Sequence, residues 1–117
     1  MAGEHKYDLE ERTLAFSKEV IRFINTVPRT IANVELSKQV VRSGGSIGSN
    51  YIEANEALGK KDFLMHVRIS KKEAKETIFW LKQFELPEKH ERARTALIQE
   101  STELMKILGA IERNSKK

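Results

Sequence analysis

The chain has 117 residues, of which 32% are charged, and its 21 Lys and Arg against 17 Asp and Glu give a formal net charge of +4. This length suits one hydrophobic core, and the absence of Cys excludes disulfides, thiolate nucleophiles and cysteine-ligated metal sites. No apolar run approaches the roughly 20 residues of a membrane-spanning helix, and the N-terminus lacks a signal-peptide pattern, so we expect one cytoplasmic domain over residues 1–117, with no membrane partner.

Hydrophobic spacing and two prolines predict four helices and no strand. Apolar side chains recur at steps of three, four and seven residues up to Pro28, which ends the first helix. Thr30 is predicted to cap the second helix, and Gly59 to end it in a left-handed conformation. Pro87 separates the third helix from the fourth, and both carry alternating steps of four and three. Short joints between long helices predict an all-α, antiparallel up-down-up-down four-helix bundle. The predicted helices span residues 8–27, 30–58, 60–85 and 88–113.

The second helix contains three glycines, Gly44, Gly45 and Gly48. Each costs a helix roughly 1 kcal/mol relative to alanine, so some compensating interaction is expected. A phosphate-cradling loop is one interpretation, but the spacing fits neither glycine-rich phosphate motif and no strand precedes it. Close packing is the interpretation we favour, because Gly44 and Gly48 lie one turn apart and can approach the small middle of the third helix. Those small residues are Ser70, Ala74 and Thr77.

Polar stripes run along the second and third helices at steps of three and four residues. If these faces are buried, their carboxylates need counter-ions, for which Arg42 and Arg68 are the candidates. Carboxylates that are simply solvated on an outer face are the alternative. We expect the stripes to set helix or subunit register. They consist of Arg42, Ser46, Asn50 and Glu53 on the second helix and of Ile69, Glu73, Glu76 and Trp80 on the third.

Candidate catalytic and metal-ligating residues are few. The di-iron bundles use Glu-x-x-His, but neither His66 nor His90 has a glutamate three residues before it. Two Glu-x-x-Glu pairs begin at Glu53 and Glu73, but such pairs are common on helices and weak evidence without histidine. No hydrolase nucleophile motif occurs. We therefore expect no enzyme activity, no metal and no cofactor.

Basic side chains follow the third helix with a seven-residue period and form a stripe about 30 Å long. Such a stripe can follow a nucleic-acid backbone by releasing counterions, without contacts to bases. The alternative is a solvated face with local ion pairs such as Lys72 with Glu76. The basic stripe consists of Lys61, Arg68, Lys75 and Lys82, with Lys71 and Lys72 beside them.

Four motifs occur in order along nearly the whole chain. They are Asp8-Leu-Glu-x-Arg-Thr13, Arg42-Ser-Gly-x-Ser-Ile-Gly-x-Asn-Tyr-x-Glu-Ala54, Lys60-Lys-Asp-Phe63 and Lys72-Glu-Ala-x-Glu-Thr-x-x-Trp-Leu81. With these motifs the chain closely resembles the bacterial four-helix-bundle family named for 23S ribosomal RNA intervening sequences, also called the S23 family.

The resemblance implies an antiparallel four-helix protomer that assembles into a ring-like homo-oligomer, typically a pentamer. It also implies a relationship to the accessory protein of diversity-generating retroelements, in which a positively charged barrel is implicated in binding nucleic acid and reverse transcriptase. A ring of five such chains would carry roughly +20 before counterion binding. The family positions carried over are Arg42, Ser46, Asn50, Glu53, Glu73, Glu76 and Trp80, and none is an established catalytic residue.

Residues and resemblance together predict a non-enzymatic, oligomeric four-helix bundle that acts as a nucleic-acid-associated scaffold. RNA or DNA is the expected partner, with reverse transcriptase as a further partner in a retroelement. A purely structural or protein-binding homo-oligomer is the alternative, and a metal-dependent enzyme is the third hypothesis.

Overall fold

The computed structural model describes the backbone of residues 2–116 and the side chains of residues 9–116. Within that range the chain forms four α-helices and one short 3-10 helix, without a strand, so the all-α prediction is confirmed. The elements are α1 (Ala2–Ile24), α2 (Ile31–Asn55), α3 (Lys60–Leu81), the 3-10 helix (Glu88–His90) and α4 (Glu91–Ser115).

The four helices form an antiparallel bundle in which each helix contacts its neighbours in sequence. In the described part of the chain, α1 packs on α2, α2 on α3 and α3 on α4, while α4 returns to contact α1. Within the described residues, the backbones of the two diagonal pairs, α1 with α3 and α2 with α4, do not approach each other closely. This is the predicted up-down-up-down arrangement, and it places the outer faces of α1 and α3 on opposite sides of the bundle.

The helices start and stop within several residues of the predicted bounds. Thr30 caps α2 as predicted. α1 ends at Ile24 rather than at 27, and α3 ends at Leu81 rather than at 85. Each ends in a tighter turn, in which the Thr26 amide donates to the Phe23 carbonyl at 3.0 Å and the Gln83 amide donates to the Trp80 carbonyl at 3.1 Å. α1 begins at Ala2 rather than at 8, and a 3-10 turn occupies the predicted start of the last helix, so α4 spans Glu91–Ser115.

The joint between α2 and α3 corrects one prediction. α2 ends at Asn55 rather than at 58, and Gly59 is not its left-handed stop. Gly59 has extended backbone, with φ −147° and ψ 164°, and it precedes α3 as the N-cap residue. None of the glycines that the structure describes has a positive φ. The amide of Glu56 instead donates to the carbonyl of Ile52 at 3.2 Å, which satisfies the end of α2 without a left-handed residue.

The hydrophobic core draws side chains from all four helices and runs the length of the bundle. At one end the rings of Phe23 and Phe84 meet edge to face, with centroids 5.5 Å apart. Because each helix contributes residues at steps of three and four, the core is continuous between the joints. Its fully buried members include Val20, Val40, Ile47, Val67, Ala74, Leu81, Leu104 and Leu108.

The glycines of α2 face α1, so the prediction that they face the small residues of α3 is wrong. A Cβ on Gly48 would lie 2.8 Å from the Thr13 Oγ1, and one on Gly44 would lie 3.4 Å from a methyl group of Val20. The positions that face α3 are the residues just before these glycines, since successive residues are rotated by about 100° around the helix. Ser43 lies 2.8 Å from the Thr77 hydroxyl, both fully buried.

One buried amide ties together the two joints at the same end of the bundle. The Nδ2 of Asn33 donates to the Pro28 carbonyl at 3.0 Å and to the Glu85 carbonyl at 2.8 Å. Its Oδ1 accepts from the Glu85 amide at 3.0 Å. Nearby, the guanidinium of Arg94 donates to the Phe84 carbonyl at 2.7 Å. The α1–α2 joint and the α3–α4 joint are therefore held to each other by polar contacts.

Candidate nucleic-acid interface

A groove between α3 and α4 gathers positive charge from both helices. It has a volume of about 490 Å³, and none of the described residues that line it is a carboxylate. Five cations line it, and this cluster with its two uncharged neighbours is called the basic groove below. The lining residues are Lys71, Lys72 and Lys75 of α3 and Met105, Lys106, Gly109 and Arg113 of α4.

Helical periodicity explains how the two sets of cations meet. Lys71, Lys72 and Lys75 share one side of α3, while Lys106 and Arg113 are seven residues apart and therefore share one side of α4. Because α3 and α4 are antiparallel neighbours, these sides border the same groove. The sequence prediction therefore found only the α3 half.

Gly109 allows two long cationic side chains to lie against α4. A Cβ at this position would lie 3.5 Å from a guanidinium nitrogen of Arg113 and 3.8 Å from the Cδ of Lys71. Both distances are ordinary van der Waals contacts, so the glycine gives room without being sterically required. The aliphatic part of Lys71 thus covers α4 while its ammonium group reaches beyond.

A single buried carboxylate lies beside the groove and joins α3 to α4. Glu112 accepts from the Lys71 Nζ at 2.6 Å and from the Arg68 Nε at 2.8 Å, and the Lys116 Nζ lies 3.5 Å away. The Lys71 hydrogen bond first, and then that of Arg68, lower the pKa of Glu112 to about 2. Three cations share one negative charge, so the surroundings of Glu112 remain net positive.

Arg68 therefore has a different partner from the one predicted. Its expected role was to neutralise carboxylates of the polar stripe on α3, but it pairs with Glu112 of α4 instead. The reason is its position around the helix, because Arg68 lies toward α4 whereas Glu73 lies toward α2.

The structure divides the predicted basic stripe into groups. Lys72 and Lys75 are exposed in the groove and form no ion pair within the described chain, so the alternative pair of Lys72 with Glu76 is not formed. Lys61 and Lys82 are exposed on α3 or just beyond its end, and neither lines the groove. The predicted stripe is therefore a compact cluster around Lys71, Lys72 and Lys75 with separate cations above and below it.

The polar stripe on α2 contacts α3 mainly through its arginine. The Arg42 guanidinium lies 3.3 Å from the Glu73 carboxylate and 3.5 Å from that of Glu76, which confirms Arg42 as a counter-ion. Glu73 is buried and Glu76 is half-buried, so the ion pairs of Arg42 with these two glutamates bridge α2 and α3 at the edge of the core.

The other stripe residues interact mainly within α2, except that the Asn50 Oδ1 lies 3.4 Å from the Nδ1 of His66 on α3. The Ser46 hydroxyl donates to the carbonyl of Arg42 at 2.8 Å, and the Asn50 amide donates to the carbonyl of Ser46 at 2.9 Å. Glu53 is exposed. Trp80 is half-buried, and its Nε1 is buried without a hydrogen-bond partner among the described residues. Only part of the predicted stripe therefore links α2 to α3.

The described residues suggest neither a metal centre nor a membrane-spanning segment. No group of three or more His, Asp or Glu side chains between residues 9 and 116 is arranged to hold a metal ion. No helix in the described part of the chain is both long and apolar enough to cross a bilayer.

Comparison with known proteins identifies the family. No curated protein matches the chain. Among solved structures, the chain is similar to the 1.70 Å crystal structure of a protein of unknown function from the S23 ribosomal protein family of Bacteroides thetaiotaomicron. The two are 29% identical with a TM-score of 0.73, over 92% of this chain and 97% of the other. The family model for 23S rRNA-intervening sequence proteins matches residues 5–110. As its motifs predicted, the chain belongs to the 23S rRNA-intervening sequence protein family.

Proposed function

We propose that the chain is a non-enzymatic, homo-oligomeric scaffold of the cytoplasm that binds the RNA or DNA backbone in the basic groove. The observation that supports this most is the lining of the groove, where five cations from two helices meet and none of the described lining residues is a carboxylate. A phosphate backbone supplies the complementary charge at regular spacing, and releasing its counterions favours binding.

The cations of the basic groove differ in how far their charge is already compensated. Lys72 and Lys75 have no ion-pair partner in the described chain, so their field extends into solvent. Lys106 lies 3.6 Å from the Glu103 carboxylate, and Lys71 is held by Glu112. Lys72 and Lys75, together with Arg113, which is exposed and also forms no ion pair in the described chain, should therefore contribute most to phosphate binding.

Salt dependence tests the proposal. The logarithm of the affinity for a single-stranded oligonucleotide should fall linearly with the logarithm of salt concentration, with a slope of about −3.5 if all five cations contact phosphates. The Lys72→Glu, Lys75→Glu double variant should bind about tenfold more weakly or worse and show a smaller slope. Fluorescence anisotropy between about 50 and 200 mM salt measures both.

A matched control separates local contact from net charge. Lys18 on α1 and Lys89 in the 3-10 helix are exposed, without an ion pair in the described chain, and outside the groove. The Lys18→Glu, Lys89→Glu double variant changes net charge equally and should retain most of the affinity. Equal losses in the two double variants, or no binding by the unchanged protein at low salt, would overturn the proposed site.

Homo-oligomerisation is part of the proposal, with a pentamer as the expected form. Its support is the apolar surface that the single chain leaves exposed, including Leu14 at 56% and Ile21 at 44% exposure on the outer face of α1. Several basic grooves on one ring would bind a long strand more tightly than one groove through effective concentration. Light scattering at micromolar concentration tests this, and a monomer would contradict it.

A purely structural or protein-binding oligomer is the second candidate function. The same exposed apolar side chains favour it, and it predicts an oligomer that binds no nucleic acid at low salt. In a retroelement setting, a reverse transcriptase is the protein partner that we add to the scaffold proposal. Copurification of the reverse transcriptase with the unchanged protein, but not with the Lys72→Glu, Lys75→Glu variant, would connect that partner to the groove.

A further inference from the structure

One aromatic side chain on α3 is exposed to solvent beside lysines of the basic stripe. Phe79 is 60% exposed, one helical turn beyond Lys75 and just before Lys82. Lys75 and Lys82 are exposed and form no ion pair within the described chain. The one carboxylate a turn away, Glu76, faces Arg42 at 3.5 Å. Phe79 is therefore an apolar ring flanked by uncompensated positive charge.

A neighbouring aromatic residue restrains this ring. The centroids of Phe79 and Trp80 are 5.0 Å apart, with an interplanar angle of 67°, which is an edge-to-face contact. Trp80 is itself half-buried and so provides a fixed support. The Phe79 ring thus packs one part of its surface on Trp80 while 60% of the residue stays exposed to a ligand.

We infer that Phe79 is a stacking platform for an unpaired base, so that the ligand of the basic groove is single-stranded nucleic acid. This inference rests on the proposed function and narrows its substrate class. Aromatic rings beside a cationic track are the usual means of holding single strands, because every base has a face that can stack. Bases inside a duplex are already stacked on each other and cannot cover the ring without being extruded.

The charge around Phe79 favours this occupant over a second copy of the same surface. A two-fold contact through Phe79 would bring Lys72, Lys75 and Lys82 close to their own counterparts, and like charges brought together oppose association. A head-to-tail contact, as a ring uses, would instead change the oligomeric state of Phe79→Leu. A strand of nucleic acid brings phosphates to the lysines and a base to the ring in one ligand.

The test compares ligands that share phosphates but differ in free bases. Affinities of the full chain for a single-stranded oligonucleotide, the corresponding duplex and an abasic strand of equal length are measured by fluorescence anisotropy at low salt. Phe79→Leu keeps an apolar side chain and removes the aromatic face. It should lower single-strand affinity about tenfold, or ~1.4 kcal/mol, and change duplex and abasic-strand affinities less than about twofold.

Control variants separate the failure of this inference from that of the proposed function. Phe79→Trp should keep or increase single-strand affinity, whereas Lys72→Glu with Lys75→Glu should weaken binding of all three ligands. Equal losses for all three ligands in Phe79→Leu, or no loss, would overturn the stacking role while phosphate binding stands. A changed oligomeric state of Phe79→Leu in light scattering would instead make Phe79 a subunit contact and overturn the inference. Absence of binding to every ligand would remove both proposals.

Discussion

On one side α1 packs closely against α2, whereas on the other side it leaves an open groove along α4. Gly48 approaches so near that a Cβ there would lie 2.8 Å from Thr13 of α1. Toward α4, a largely apolar groove of about 530 Å³ runs between the helices, lined in part by Ala93 and Ala96. The most direct link across it is the Arg12–Glu100 ion pair, with distances of 2.7 and 2.8 Å.

This difference shows that small residues permit close packing but do not by themselves cause it. Both neighbours of α1 present small residues, yet only the glycines of α2 are in tight contact. At α4, the Nε and Nη2 of Arg12 donate to the two carboxylate oxygens of Glu100, so the helices are joined there through long side chains. Charge therefore closes the α1–α4 groove at one point, while dispersion contacts close the α1–α2 interface along its length.

The largest expected effect comes from filling the tight interface. Gly48→Leu should lower the free energy of unfolding by about 3 kcal/mol or more, because even its Cβ has no room beside Thr13. Urea denaturation followed by circular dichroism measures this. Gly45→Ala is the control, since a Cβ there would meet only the Ser17 hydroxyl at 3.6 Å, and it should stabilise by up to about 1 kcal/mol through helix propensity. If Gly48→Leu were as stable as the unchanged protein, the α1–α2 interface would not be more tightly packed than the α1–α4 groove.

Acid should reveal how a third interface, α3–α4, is closed by charge. The pKa of Glu112 in the folded protein is about 2, lowered from 4.5 by its hydrogen bonds to Lys71 and Arg68. A lowered carboxyl pKa contributes stability that is fully present above pH 4.5 and is lost as the pH falls toward 2. Glu112→Gln should therefore be less stable at neutral pH and lose less stability over this pH range. Parallel slopes of melting temperature against pH for both proteins would show that the ion pairs of Glu112 do not stabilise the α3–α4 interface.

Removing the ion pair across the open groove should have a smaller effect. Glu100→Gln weakens the contact with Arg12. Because the side chains of Glu100 and Arg12 are 32% and 38% exposed, the substitution should lower the free energy of unfolding by about 1 kcal/mol or less. The cost should shrink further in high salt, because the remaining charge is screened. Urea denaturation at two salt concentrations checks this. A loss comparable to that of Gly48→Leu would mean that charge holds α1 more firmly than the glycines do.

The smallest effect is expected from filling the open groove. Ala96→Leu adds bulk where Ala96 is exposed and space is available, so stability should change by about 0.5 kcal/mol or less. The same substitution also tests whether another copy occupies the groove, because added bulk would then shift the oligomeric state in light scattering. A loss of several kcal/mol would show that the groove is closed in solution.

Local sequence signals predicted the elements well, and they predicted which elements meet less well. The bundle, the Thr30 cap and the Arg42 counter-ion follow from periodicity and charge. The contact of Gly48 with α1 was not predicted, because a step of one residue rotates a side chain by about 100° and changes which helix it faces. Lys106 and Arg113 were visible as a seven-residue pair, but their relation to α3 depends on how α3 and α4 align.

Asn33 was missed for a different reason. Its partners are backbone groups of two joints, at Pro28 and Glu85, and no side-chain pattern indicates which carbonyls come together. From sequence alone, an asparagine near a helix start is interpreted as an ordinary capping residue, and its contact with a second joint is seen only in the folded structure. Contacts that depend on loop geometry are therefore the part of this structure that sequence reasoning cannot reach.

The hydrogen bonds of Asn33 also make two chain reversals behave as one. If either joint loosened alone, a fully buried amide would lose partners that water could not replace without entering the core. The joints at 25–30 and 82–90 should therefore exchange their amide hydrogens together. The α2–α3 joint lies at the opposite end of the bundle, where Leu58 and Gly59 are exposed. The bundle thus has one end whose two joints open as a unit.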